Sequence, residues 1–164
     1  MKRINTIALV VLAVLATSTV ASASEGHRPP KAQAKPWKVI RLIERIHDVT
    51  TVDEGAPGPS LGDRIVFTSD LFDHDGNKVG RDGADCVVVR IDPAQPPQEQ
   101  QIVHCSIAAE LPDGQLTVQG LAQGLENLFA VTGGTGSYRT ARGEAFARDR
   151  VFLQEAEVTI RLFR

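Results

Sequence analysis

From Asp63 to Phe163 the sequence is a succession of short apolar runs, each closed by turn chemistry. The runs are Asp63–Phe72, Asp85–Ile91, Gln101–Leu111, Gln115–Leu121, Asn127–Thr132, Gly143–Arg150 and Phe152–Phe163. In the last, Val158, Ile160 and Leu162 fall on one side and Glu157, Thr159 and Arg161 on the other. That is the two-residue period of an extended chain. Asp75-Gly76, Pro112-Asp113-Gly114 and the proline-rich stretch Asp92–Gln100 supply turns and loops between the runs. Trp37–Asp48 is ambiguous by pattern. Val39, Leu42, Ile43 and Ile46 make a helical stripe, whereas in an extended chain Ile40, Leu42 and Ile46 would oppose Arg41, Arg45 and His47. Taken as a strand, it brings the series to eight. Eight short strands with turns between them and no convincing helix predict an all-β fold, a single eight-stranded antiparallel β-barrel.

The N-terminus is of another kind. Lys2 and Arg3 precede an apolar stretch from Ile7 to Ala16, and Ala21-Ser22-Ala23 fits a signal peptidase site. The expected organisation is a signal peptide over residues 1–23, a disordered, proline-rich tether over 24–36, and the barrel over 37–164. The apolar stretch is shorter than the roughly 20 residues of a membrane span. A secreted, extracellular protein without a membrane anchor is therefore expected. Loss of Lys2 and Arg3 moves the formal net charge from −2 to −4. Nothing in this balance offers the basic patch that nucleic acid needs.

The two cysteines are Cys86 and Cys105. They lie on consecutive strands. If the hairpin closes symmetrically about Gln95-Pro96, they stand directly opposite each other, with Cα atoms about 4.5–5.5 Å apart and within disulfide range. In an exported chain such a pair is expected to oxidise. No HxxxH, CxxC or GxSxG spacing occurs. Asp73-His74-Asp75-Gly76-Asn77 half-matches a calcium loop, but Lys78 stands where its glycine belongs and Ala84 where its closing glutamate belongs. No metal site and no cofactor are expected.

The glycine-rich stretch Val131-Thr132-Gly133-Gly134-Thr135-Gly136-Ser137-Tyr138-Arg139-Thr140-Ala141-Arg142-Gly143 follows one strand and precedes another. It is not a phosphate loop, because no Lys-Ser/Thr follows the glycines and no helical pattern begins after them. It reads as a sharp strand-to-strand turn. It also resembles the GGTG-x-(aromatic)-xxARG signature of plant dirigent proteins. Ser60-Leu61-Gly62-Asp63, Val66-Phe67-Thr68 and Gly114-Gln115-Leu116-Thr117-Val118-Gln119-Gly120 are similar to segments of plant allene oxide cyclases. The two families share one barrel, and the resemblance runs from about Ser60 to the C-terminus. It implies that Trp37–Asp48 is the first barrel strand, and that the protein is a homo-oligomer, a trimer as in the plant families.

The resemblance also suggests where a pocket would lie. The cyclase's first strand carries a Glu and, two residues on, an Asn; the matching positions are Arg41 and Ile43. A further plant Asn, and the dirigent pocket Asp, both fall at Ser69. Asp70, one residue on, belongs to the opposite strand face. Cys86-Val87-Val88 matches the cyclase segment whose Cys lines the pocket. Read that way, Cys86 would be a working thiol rather than half of a disulfide. Arg41, Ile43, Ser69 and Val88 are thus the expected ligand-binding residues of the barrel interior. An inward Arg41 would favour a hydrophobic or anionic amphiphilic small molecule. The fold motifs are retained while the plant functional residues mostly are not, and no catalytic residue is assigned.

Three functional classes follow. The first is a secreted barrel that binds a small molecule and steers its geometry, as dirigent proteins do. The second is a cofactor-independent isomerase or cyclase of the allene oxide cyclase kind. The third is an exported structural protein without a ligand.

Overall fold

The computed structural model describes residues 35–55 and 57–163. The expected signal peptide, and nearly all of the expected tether, lie outside the described residues. Eight strands follow one another: β1 (Lys38–Val52), β2 (Arg64–Phe72), β3 (Lys78–Ile91), β4 (Gln101–Leu111), β5 (Gly114–Ala122), β6 (Glu126–Gly134), β7 (Arg142–Val151) and β8 (Glu155–Phe163). They form a closed barrel in sequence order, with β8 paired antiparallel to β1. Only two single-turn 3-10 segments, Pro97–Glu99 and Gly136–Tyr138, interrupt the strand pattern among the described residues. The all-β, eight-stranded antiparallel barrel is therefore the fold.

The ambiguous first segment is extended. Leu42 and Glu44 are buried and Ile40 packs on the core, while Val39, Arg41 and Arg45 are exposed. The two-residue period overrides the helical stripe because closure needs a strand that pairs on both edges. β1 does so, with Ile43 opposite Phe72 on one side and Glu157 on the other. β3 is longer than the sequence pattern suggested. It begins at Lys78 rather than Asp85, so Gly80-Arg81-Asp82-Gly83 is part of the strand.

The two ends of the barrel differ. At one end Leu71, Leu111, Leu116, Tyr138 and Leu162 fill the interior, all at most 7% exposed. The glycine-rich stretch closes this end. Thr135 N–H donates to Gln115 O at 2.8 Å and Ser137 N–H to Asp113 O at 2.9 Å, which lays the β6–β7 connection across the β4–β5 turn. Gly136 sits at φ +57°, and a Cβ there would lie 2.4 Å from Asp113 O. Only glycine meets both demands. Tyr138 is thereby tucked under the barrel, and its hydroxyl accepts a hydrogen bond from Lys38 Nζ at 3.2 Å. At the other end the interior is not filled.

Candidate functional site

The unfilled half of the barrel is a cavity of about 320 Å³. Ile65, Phe67, Ile107 and Phe129 give it apolar walls. These residues face inward because each alternates along its strand with an exposed neighbour. Pro97, Gln123, Gly124, Phe152 and Leu153, from three connecting loops, frame the mouth. Two of those loops are tied together: Gln123 Nε2 donates to Glu99 O at 2.7 Å. Leu153 adopts φ +52°, the single non-glycine residue with positive φ among the described residues. Its N–H donates to Asp149 Oδ2 at 3.4 Å.

Cys86 and Cys105 face each other directly across β3 and β4 and form a disulfide, with Cα atoms 4.0 Å apart. Both side chains border the cavity. No thiol remains among the described residues, so the reading of Cys86 as a free working thiol does not hold for this structure.

The polar part of the wall is acidic. Glu44 projects from β1 into the cavity and is 9% exposed. Its Oε1 accepts a hydrogen bond from Ser69 Oγ at 2.9 Å. Burial, then the charges of Asp82 and Asp149, push its carboxyl up to about 7 against the opposing pull of the Ser69 hydrogen bond. Asp82 lies directly across from Ser69 on β3. Burial pushes it up to about 6, and its Oδ1 is buried with no hydrogen-bond partner. The Ser69 hydroxyl, with one hydrogen, stands between the two acids and also pulls against the effect of burial on Asp82. Asp149 also borders the cavity, and burial raises it above the ordinary aspartate range. In register, Asp149, Ala156 and Glu44 form a row across β7, β8 and β1. Ala156 is too small to separate the two acids.

The expected pocket residues are distributed differently. Arg41 and Ile43 lie on the outward-facing positions of β1, with Arg41 exposed, so the placement of both in the interior is corrected. Matching Arg41 to the plant Glu position carried the wrong strand face with it; the inward residues are Leu42 and Glu44. Ser69 is buried, at 1% exposure, and touches Glu44 rather than the open cavity. Val88 is buried outside the main cavity. Its N–H donates to Asp63 O at 2.8 Å and its C=O accepts from Gly62 N–H at 3.0 Å, which anchors the loop before β2. Asp70 is on the outside, paired with Lys78 at 2.6 Å and His47 at 3.6 Å.

Glu44 and Asp82 were missed by sequence reasoning for different reasons. Glu44 carries a visible signal, a carboxylate on the apolar alternation Ile40, Leu42, Ile46. Asp82 sits between Gly80 and Gly83, in a stretch whose composition reads as turn.

The sequence profile of the family described as allene oxide cyclase barrel-like domain matches residues 43–162. The chain belongs to this family. No protein of curated function matches the chain. Among solved structures, a pyocyanin demethylase superimposes with a TM-score of 0.66 at 27% identity, over 76% of this chain and 99% of that one. An exo-specific intermolecular Diels–Alderase matches with a TM-score of 0.59 at 17% identity, over 76% of this chain and 98% of that one. A pterocarpan synthase dirigent protein gives 0.56 at 16% identity, over 77% and 82%. The last two show a shared fold alone. An allene oxide cyclase-like barrel with an apolar cavity is a ligand-binding barrel.

Proposed function

We propose that the mouth half of the barrel binds an apolar small molecule and that Glu44 acts on it as an acid–base group, without a cofactor. The observation that carries this reading is the position of Glu44. It is a carboxyl on the wall of a largely apolar cavity that has been brought to about 7, where it can both give and take a proton at neutral pH. The 27% identity to a pyocyanin demethylase, over nearly its whole length, supports catalysis over passive steering. Enclosure in a shaped cavity supplies the orientation that such chemistry needs. A binder that only steers geometry is the second reading. It is favoured by the disulfide and the packed floor, which make the wall stiff. Export through the N-terminal signal and assembly as a trimer belong to the same proposal.

Purified protein titrated with the neutral fluorophore N-phenyl-1-naphthylamine, and separately with pyocyanin, tests it. Saturable binding of the fluorophore, abolished by filling the cavity with Phe129→Trp, is expected. Glu44→Gln should retain fluorophore binding but lose any conversion of pyocyanin. Conversion undiminished in Glu44→Gln would remove Glu44 from the chemistry. Absence of binding by the wild type would overturn the whole reading.

A further inference from the structure

Two carboxyl groups border the cavity, Glu44 from β1 and Asp149 from β7, and a third, Asp82 on β3, lies behind Glu44 across Ser69. Facing them, β2 offers Ser69, β4 Gln101, β6 Asn127 and β8 Ala156, none of them charged. Among the described residues, no Lys, Arg or His borders the cavity. The nearest arginines in sequence point outward and are already engaged there. Arg45 pairs with Glu155 at 3.2 Å, Arg148 with Glu126 at 2.9 Å, and Arg150 with Glu157. The strands thus line the interior with acid and supply no counter-charge of their own among the described residues. One acceptor, Asp82 Oδ1, is buried and unpartnered. That oxygen is turned away from the open volume, so its part is to keep negative potential behind Glu44 rather than to meet a ligand.

We propose, building on the reading of the cavity as a small-molecule site, that its ligand is an organic cation: an apolar ring or chain bearing a protonated or quaternised nitrogen, seated with its charge between Glu44 and Asp149. The geometry argues against the alternatives in turn. A bare metal ion needs three or more ligand groups drawn together, and among the described residues no such group exists. An anionic amphiphile would meet Glu44 and Asp149 at the wall with no cation to receive its head group. A neutral ligand would fill the apolar volume but leave the acidic row uncompensated. A cation with an apolar body answers both halves of the wall, ring against Phe67 and Phe129 and charge against the carboxylates. Asp82 does not border the open volume; it acts through Glu44, by holding negative potential behind it. This reverses the charge expected from an inward Arg41.

A matched probe series tests the assignment. 9-(Aminomethyl)anthracene, 9-anthracenemethanol and 9-anthracenecarboxylate share one fluorescent ring and differ in charge at one position. At pH 7.5 the ammonium compound is expected to bind the wild-type chain at least tenfold more tightly than the alcohol, and the carboxylate more weakly than both. Lowering the pH to 5.5 protonates Glu44 and then Asp82. It should weaken the ammonium compound about tenfold and leave the alcohol unchanged. Glu44→Gln should do the same at pH 7.5. The wild-type series and its pH dependence need no variant, so a failure of Glu44→Gln to fold leaves the test intact. Equal or tighter binding of the alcohol or the carboxylate overturns the charge assignment while the binding reading stands. Failure of all three probes to bind overturns the binding reading and this one with it.

Discussion

Glu44 stabilises the fold when it is protonated and opposes it when it ionises. Its folded value, about 7, lies above its ordinary value of 4.5. The contribution is therefore fully present below about pH 4.5 and is lost as pH climbs through 7. Asp82 acts in the same direction between 3.8 and about 6. The ligand-free protein should melt at a higher temperature at pH 5 than at pH 8. Glu44→Gln keeps the shape and removes the charge. It should raise stability at pH 8 by up to about 3 kcal/mol and change little at pH 4.5. Thermal melts of both proteins at the two pH values check this; the same wild-type–variant difference at both would count against an ionisable Glu44. The cost of ionisation at neutral pH is what one expects of a group kept for chemistry or recognition rather than for packing.

At the scale of the elements, β3 and β4 form the wall that the disulfide staples. The two cysteines oppose each other in register, so the crosslink adds to a pairing already in place. It closes a loop with a sequence separation of 19 residues, for which the chain-entropy account gives roughly 3 kcal/mol. Intact mass of the protein should show no alkylatable thiol before reduction and two after it. The double variant Cys86→Ala/Cys105→Ala should unfold at lower denaturant, by about that free energy. Two reactive thiols without reduction would restore the working-thiol reading of Cys86. The β6–β7 connection plays a comparable part at the opposite end, where Gly136 and Tyr138 shut the barrel, so that ligands have the loop-framed mouth as their route.

For the molecule as a whole, the outer surface carries apolar residues that a lone barrel would leave wet. Leu128 on β6 and Phe146 on β7 are cross-strand partners and are 57% and 36% exposed. Leu121 on β5 is 59% exposed. Such a wall suits contact with other copies of the chain, in keeping with the proposed trimer. Sedimentation at micromolar concentration should report about three times the mature mass, and Leu128→Asp with Phe146→Asp should release monomer. A wild-type monomer of about 15 kDa would end the trimer proposal.

Barrel architecture was legible in the chain because two local signals agreed along its length. Val158, Ile160 and Leu162 alternate with polar neighbours, and turn residues such as Asp75-Gly76 mark where pairing reverses. The cysteine pairing was legible too, because hairpin register is a local quantity. The cavity was not. Whether Trp37–Asp48 pairs as a strand, and which of its faces turns inward, depends on β2 and β8, which no window around Arg41 or Glu44 contains. One step of register exchanges Arg41 and Ile43 for Leu42 and Glu44, and with them the sign of the charge inside. The meeting of Glu44, Asp82 and Asp149, spread over more than 100 residues of sequence, exists only once the barrel closes and brings β7, β8, β1, β2 and β3 side by side. The shifted ionisation of these acids has the same origin, because burial is a property of the closed barrel rather than of any segment of it.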